Sequence, residues 1–448
     1  MTVTTPPREP EIEPDRDLSR RVAALEALIE EARRRARRRR QRNGAAALLI
    51  AAAGAGALIG FGGHGGGSGS AATARARGSQ GSTAHTGSPP LGALPPGAGA
   101  VESFAFDPRD PEIVYLLAQS SAFGAGGSRD VFKTTDGGAH WKATAARGWV
   151  GFNESLTADP QHPGTLYAGT ERAVYKTIDG GTSWQPFNHG LFTPPRPYQF
   201  NRAKGWVVAL AVDPANTNVV YAGSDRVSKS TDGGRSWKTV FPSHLTRYPA
   251  DSVSALAIAP AHPEAIYAIT SDFSSPSPTP ASGRTTIYKS TDAGMTWRAT
   301  AVVRGSVAPT ALAVDPRHPT TVYAAIGAKV MKTTNAGETW QPIADGLPIV
   351  DTRGSCHCLS LGGVRALAVD PRGTGIVYAA LTQGGIYKTT NGGQSWARSI
   401  GDMLFDRYTV AVDRARPGTI YAAGESQTGA GPRILRSTDS GHTWMTAG

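Results

Sequence analysis

Cys356, His357 and Cys358 put two thiols and an imidazole on three consecutive residues, the ligand types that zinc accepts. A structural zinc site takes four ligands at wider spacing, so no metal site is assigned; a loop disulfide or two free thiols fits three adjacent residues better. A second set of polar residues is periodic. Asp136, Asp179, Asp232, Asp292, Asn335, Asn391 and Asp439 each sit in the pattern Ser/Thr, any residue, Asp/Asn, any residue, Gly, two residues, Trp. Trp141, Trp184, Trp237, Trp297, Trp340, Trp396 and Trp444 follow five residues later. In such a turn the side-chain oxygen can accept N–H groups of its own backbone, Gly supplies a positive φ, and Trp opens the returning strand as a core residue. A carboxylate engaged in that way is a poor acid, base or ligand, so these residues read as structural. No catalytic residue is nominated and no cofactor is called for. The two remaining tryptophans, Trp149 and Trp206, stand near Arg147, Arg196, Tyr198 and Arg202, a mixture that can stack a sugar ring or anchor a protein. With Arg353 and Arg365 these are the ligand-binding candidates; the competing reading is that both Trp only cover the ends of the fold.

The elements that position these residues follow from a second repeat. A strand, a turn beginning with Asp, and a strand containing Tyr recur seven times, with Tyr115, Tyr167, Tyr221, Tyr267, Tyr323, Tyr378 and Tyr421 always eight positions after the turn residue, which is Ala259 in the fourth copy. Fixed spacing means a hairpin of constrained loop length. Each repeat then reads as four antiparallel strands; in the fifth they are expected at 311–315, 321–325, 329–333 and 339–343. Four-stranded units repeated seven times predict an all-β, seven-bladed β-propeller over 101–448. Small residues alternate on the first strand of each unit (Ala209 and Ala211, Ala255 and Ala257, Ala311 and Ala313, Ala366 and Ala368), as the crowded innermost strand requires. The first repeat opens on an inner strand and the last closes on an outer one, so the ring must close by packing of blade seven on blade one. Both hairpins must share one face, and the connections of variable length converge on the other. The spacing from Trp to the next turn residue, for example, runs from 17 (Trp396 to Asp413) to 30 (Trp340 to Asp370). A rigid frame with variable loops on one side is the form of a binding face.

These seven paired patterns resemble the Asp-box, or bacterial neuraminidase repeat, propellers, a superfamily that includes sialidases, two-propeller xyloglucanases, sortilin-type receptors and photosystem II assembly-factor-like proteins. The resemblance covers about 101–448 and implies fold more strongly than activity. A sialidase is expected to carry an Arg-Ile-Pro tripeptide, which this sequence lacks. A xyloglucanase-like enzyme works in a cleft between two propellers, and one is expected here. The resemblance therefore implies a binding or assembly module nearest the assembly-factor-like and sortilin-like branches, with a glycoside hydrolase or carbohydrate-binding propeller as the alternative. A protein or an anionic glycan is the expected partner.

The first hundred residues differ in kind. The chain carries 46 Lys and Arg against 35 Asp and Glu, but eight of its arginines fall between Arg33 and Arg42, so the surplus is local and does not describe a nucleic-acid surface; no nucleic-acid partner is expected. Residues 44–63 hold no charge over 20 positions, enough for a helix to cross a hydrocarbon core of about 30 Å. The arginines immediately before that stretch keep the amino terminus cytoplasmic by the positive-inside rule. The expected organisation is a disordered tail and Arg-rich helix over 1–43, a transmembrane anchor over 44–63, a Gly/Ser/Pro-rich linker over 64–100, and an extracytoplasmic propeller. A cleaved signal peptide is disfavoured by the long polar region before the apolar stretch. Leu18, Val22, Leu25, Ile29 and Ala32 recur at spacings of four and three over two heptads, at most a weak dimerisation element.

Overall fold

The computed structural model describes residues 93–446 except 96–97, 121–127, 146–148, 151–154, 171–172, 192–206, 242–251, 273–283, 305–309, 328, 349–362, 374, 383, 401–404 and 427–431. The expected tail, anchor and most of the linker lie outside the described residues, as do Cys356, His357 and Cys358. Among the described residues no helix is long and apolar enough to cross a membrane.

The seven hairpin pairs build seven antiparallel sheets whose strands follow chain order, four to a sheet, making an all-β seven-bladed propeller. The first sheet gains a fifth, two-residue strand, Trp149–Val150. The inner strands are Ala98–Phe106, Ser155–Ala158, Ala209–Val212, Ser252–Ala259, Thr310–Val314, Val364–Val369 and Phe405–Val412. In the fifth blade the first three strands fall within a residue of their expected places, at Thr310–Val314, Val322–Ile326 and Lys329–Thr333. The outer strand is only Gln341–Pro342, because Thr339 and Trp340 still belong to the turn.

The Asp that opens each first hairpin holds its loop. Asp107 accepts the N–H groups of Arg109 and Asp110 on one oxygen, and Asp159, Asp213, Asp315 and Asp413 accept the equivalent pairs. Ala259 has no such oxygen, and there the loop collapses to Pro260 and Ala261, with Ala259 paired directly to His262. Replacing an Asx-type turn by ladder pairing satisfies the same backbone groups another way.

Packing between blades follows a large-against-small rule set by the alternation on the inner strand. Leu256 and Ile258 pack back against Tyr221 and Phe241 of blade three, while Ala255 packs forward against Ala324 and Ile326 of blade five. Leu367 and Val369 likewise meet Tyr323 and Ala325 of blade five, and Ala368 meets Tyr408 and Val410 of blade seven. Small residues on the forward face let the next blade approach closely near the axis, where the sheets crowd. The ring closes by the same contact: Phe104, Leu116, Phe132 and Trp141 of blade one pack with Tyr421, Ala423 and Ile434 of blade seven. Among the described residues no strand is exchanged across that seam.

Candidate functional site

The box turns are identical in their local chemistry. In blade two the Thr177 hydroxyl donates to Asp179 Oδ1 at 2.7 Å and accepts the N–H of Gly181 at 3.0 Å, while Asp179 Oδ1 accepts the N–H of Ser183 at 2.9 Å. Asn335 and Asn391 reproduce the arrangement with their carbonyl oxygens, accepting from Thr339 and Ser395. Two consecutive residues take positive φ, for instance Gly233 at 71° and Gly234 at 95°, and the first of the two is Ala293, Ala336 or Ser440 in three blades. The Ser183 hydroxyl and backbone, with Thr177, lower the Asp179 pKa to about 2. Asp292 is lowered to about 2 by Thr296 in the same manner. For Asp136, Asp232 and Asp439 burial acts in the opposite direction and is outweighed by the turn's hydrogen bonds, which again leave the carboxyl at about 2.

Each turn is also fastened to its surroundings. The residue after the box Asp or Asn donates its N–H to the first hairpin of the same blade, as Gly137 does to Glu112, Gly233 to Asn218 and Gly392 to Gly375. Both hairpins therefore share one face. In blades three and four the carbonyl of that same residue is held by the preceding blade: Gly233 accepts from the Tyr167 hydroxyl at 3.2 Å and Lys176 Nζ at 3.0 Å, and Ala293 accepts from Tyr221 and Lys229, both at 2.9 Å, whereas the Tyr115 and Tyr267 hydroxyls have no hydrogen-bond partner among the described residues. The Tyr and the Lys are cross-strand partners, Tyr167 with Lys176 and Tyr221 with Lys229, so their side chains lie side by side on one face of the sheet. Lys176 Nζ stands 4.9 Å from the Tyr167 ring centroid, a cation–π contact. All seven tyrosines are at most 1% exposed, and burial raises the pKa of Tyr267 and Tyr323 to about 12. Sequence reasoning missed this cation, although the signal was present: Lys133, Lys176, Lys229, Lys289, Lys332, Lys388 and Arg436 all stand three residues before the box Asp or Asn. The tryptophans add a further tie, with Trp237 Nε1 donating to the Phe187 carbonyl and Trp396 Nε1 to that of Ile343, each in the preceding blade.

The inner strands surround an axial cavity of about 570 Å³ that opens among the first-hairpin turns. Its wall interleaves Phe104, Leu156, Leu256, Leu312, Leu367 and Val410 with alanines, and polar surface makes up nearly half of it. Pro108, Pro160, Pro214, Pro260 and Pro316 line the hairpin end, and Arg414 takes the equivalent place in blade seven. At the opposite end of the inner strands, Arg365 of blade six forms an ion pair with Glu102 of blade one, passing in front of blade seven. Glu102 also accepts from Gln119 at 2.9 Å.

Of the ligand-binding candidates, Arg365 is thus half-buried and engaged in that ion pair at the loop-side end of the axis. Trp149 lies on the short added strand, its backbone opposite Arg129. Arg147, Arg196, Tyr198, Arg202, Trp206 and Arg353 lie outside the described residues. Among the described residues no cluster of His, Cys, Asp and Glu could hold a metal ion.

No family model and no curated protein matches the chain. Among solved structures it is similar to a GH74 enzyme from Niastella koreensis, at 21% identity over 78% of this chain and 59% of that one, with a TM-score of 0.51. It is similar to YCF48 from Cyanidioschyzon merolae at 16% identity over 78% of this chain and 98% of that one, with a TM-score of 0.50. The S511A mutant of a puromycin hydrolase complexed with PGG matches at 11% identity over 78% of this chain and 54% of that one, with a TM-score of 0.52. The chain spans little more than half the length of the GH74 enzyme and of the puromycin hydrolase, and nearly all of YCF48. At these identities the likeness is one of fold.

Proposed function

We propose that this protein is a membrane-tethered, extracytoplasmic binding or assembly scaffold that meets its partner with the loop face opposite the box turns. The observation that carries the reading is the division of labour between the two faces. On one, the hairpin carboxylates are spent on their own loops and the box turns are tied to the neighbouring blade. On the other the sequence expects the connections of variable length, which carry Trp206 and the arginines at 147, 196, 202 and 353. A face whose carboxylates are already engaged offers a protein partner few free anions, whereas loops on a rigid frame can be varied without cost to the core. The arginines favour an anionic surface, either an acidic protein or an acidic glycan.

A second reading, a glycoside hydrolase or carbohydrate-binding propeller, draws support from the fold shared with the GH74 enzyme, of which this chain spans 59%. One experiment separates the two. Crosslinking in intact membranes followed by co-purification should recover a partner, and Arg202→Ala or Trp206→Ala should weaken capture without lowering the melting temperature, whereas Arg317→Ala on the box-turn face should change neither. Hydrolysis of a glycan by the purified chain, stopped by replacing a loop carboxylate such as Glu154, Asp251 or Asp351, would decide for the enzyme.

A further inference from the structure

The six prolines that follow the turn residue in blades one to six are replaced by a single cation, Arg414, in blade seven. We propose that the axial cavity with Arg414 at its mouth is a binding site for a small amphiphilic anion, an oxyanion head on an apolar body, entering from the box-turn face. The cavity's 570 Å³ falls within the range of small-molecule sites. Such sites pair apolar side chains with placed polar groups, and here Leu, Phe, Val and Ala share the wall with nearly as much polar surface.

Among the lining residues Arg414 carries the one positive charge. Two carboxylates also line the cavity, and both are engaged. Asp107 accepts the N–H groups of Arg109 and Asp110 on one oxygen and that of Gly164 on the other. Asp413 accepts Ala415 and Arg416 backbone N–H groups and is paired with the Arg416 guanidinium at 3.3 Å. Arg416 is in turn held by Glu112. Arg414 is accessible to solvent, the surrounding turns crowd its guanidinium and push its pKa down, and no described carboxylate pairs with it. A guanidinium keeps its charge and offers a planar fork that matches carboxylate and phosphate oxygens. A head bound there directs its tail along the axis, towards the level at which Arg365 and Glu102 cross in front of blade seven. The site is thus on the opposite side of the ring from the loop face and does not depend on the function proposed for it.

Isothermal titration of the full-length chain in lipid nanodiscs, with empty nanodiscs as the reference, tests the site. Octanoate and octyl phosphate are the probes, and the tighter of the two identifies the head group. One molecule per chain should bind, with octyltrimethylammonium and octanol at least tenfold weaker and affinity rising about fourfold per methylene from butyrate to octanoate. Arg414→Pro restores the residue found in the other six blades and so should leave the melting temperature unchanged, while lowering affinity about 10- to 100-fold; Arg414→Lys should retain most of it. Absence of saturable binding, equal binding of the cationic probe, or affinity indifferent to Arg414→Pro or to tail length would each overturn the proposal.

Discussion

Position 436 is where the ring departs from its own repeat. In the other six blades the residue paired with the conserved-spacing Tyr is Lys; in blade seven it is Arg436, 2% exposed, whose Nη1 donates to the Gly137 carbonyl of blade one alongside the Tyr421 hydroxyl. The substitution falls on the seam that has no covalent continuity between neighbouring blades, and it adds donors where Arg416 and Glu112 already make an ion pair. Arg436→Lys should therefore cost little, within about 1 kcal/mol, because a single ammonium serves the same carbonyl elsewhere. Arg436→Met should cost about 2–4 kcal/mol, since it removes a buried charge-assisted donor and leaves its partners undersatisfied. Urea denaturation midpoints of the two variants would check this, and equal midpoints would show that the seam rests on apolar packing alone.

At the scale of the element, the box turn acts as a hydrogen-bonded knot that tolerates Asn for Asp but not the loss of the oxygen. Asp179→Ala should lower stability by about 1–3 kcal/mol, and Asp179→Asn should be nearly neutral at pH 7 because blades five and six already use Asn335 and Asn391. Acid separates the two forms. Five box carboxyls are held at about 2, below the ordinary value of 3.8, so between pH 4 and pH 2 the unfolded chain binds protons that the folded chain does not. Their contribution is complete above pH 4 and is lost as the pH falls towards 2. Thermal midpoints across that window should fall, and Asp179→Asn should fall less steeply than the unaltered chain. The tyrosines work at the other end: burial raises their pKa values, so the contribution of the neutral phenols is complete below pH 10 and declines above it.

For the whole molecule, the proposed tether sets which side of a membrane the ring occupies. Eight arginines between Arg33 and Arg42 precede the uncharged stretch 44–63, so protease added outside intact cells should reach the propeller and leave 1–42 protected. A propeller protected together with an accessible amino terminus would remove the tether, and with it the extracytoplasmic scaffold. Ring closure by packing also gives the molecule its mechanical character. The seam repeats the large-against-small contact on the inner strands, and its latch of Arg436 onto the Gly137 carbonyl matches those that Lys176 and Lys332 make onto the next box turn.

The blade number, the hairpin that holds each Asp, the shared face of the two hairpins and closure without strand exchange were all legible in the sequence, because they depend on spacing along the chain, and spacing survives unfolding. Seven tyrosines at a constant offset and seven tryptophans at another leave little freedom for anything but a ring of identical units. Other features needed the ring to be closed. That Lys176 and Tyr167 share one carbonyl 57 and 66 residues away follows from the approach of adjacent blades, which no local pattern encodes, even though the lysine itself recurs visibly before each box. Arg365 lay among the loop-face candidates by its position in the chain, and only the meeting of blades six and one places Glu102 against it. Arg414 appeared in the sequence as one departure from an Asp-Pro turn; it became a charge at the mouth of a cavity once seven inner strands were brought around a common axis. Local hydrogen bonding is written in residue order, whereas a channel and the charges that face it exist only between strands that the chain separates by hundreds of residues.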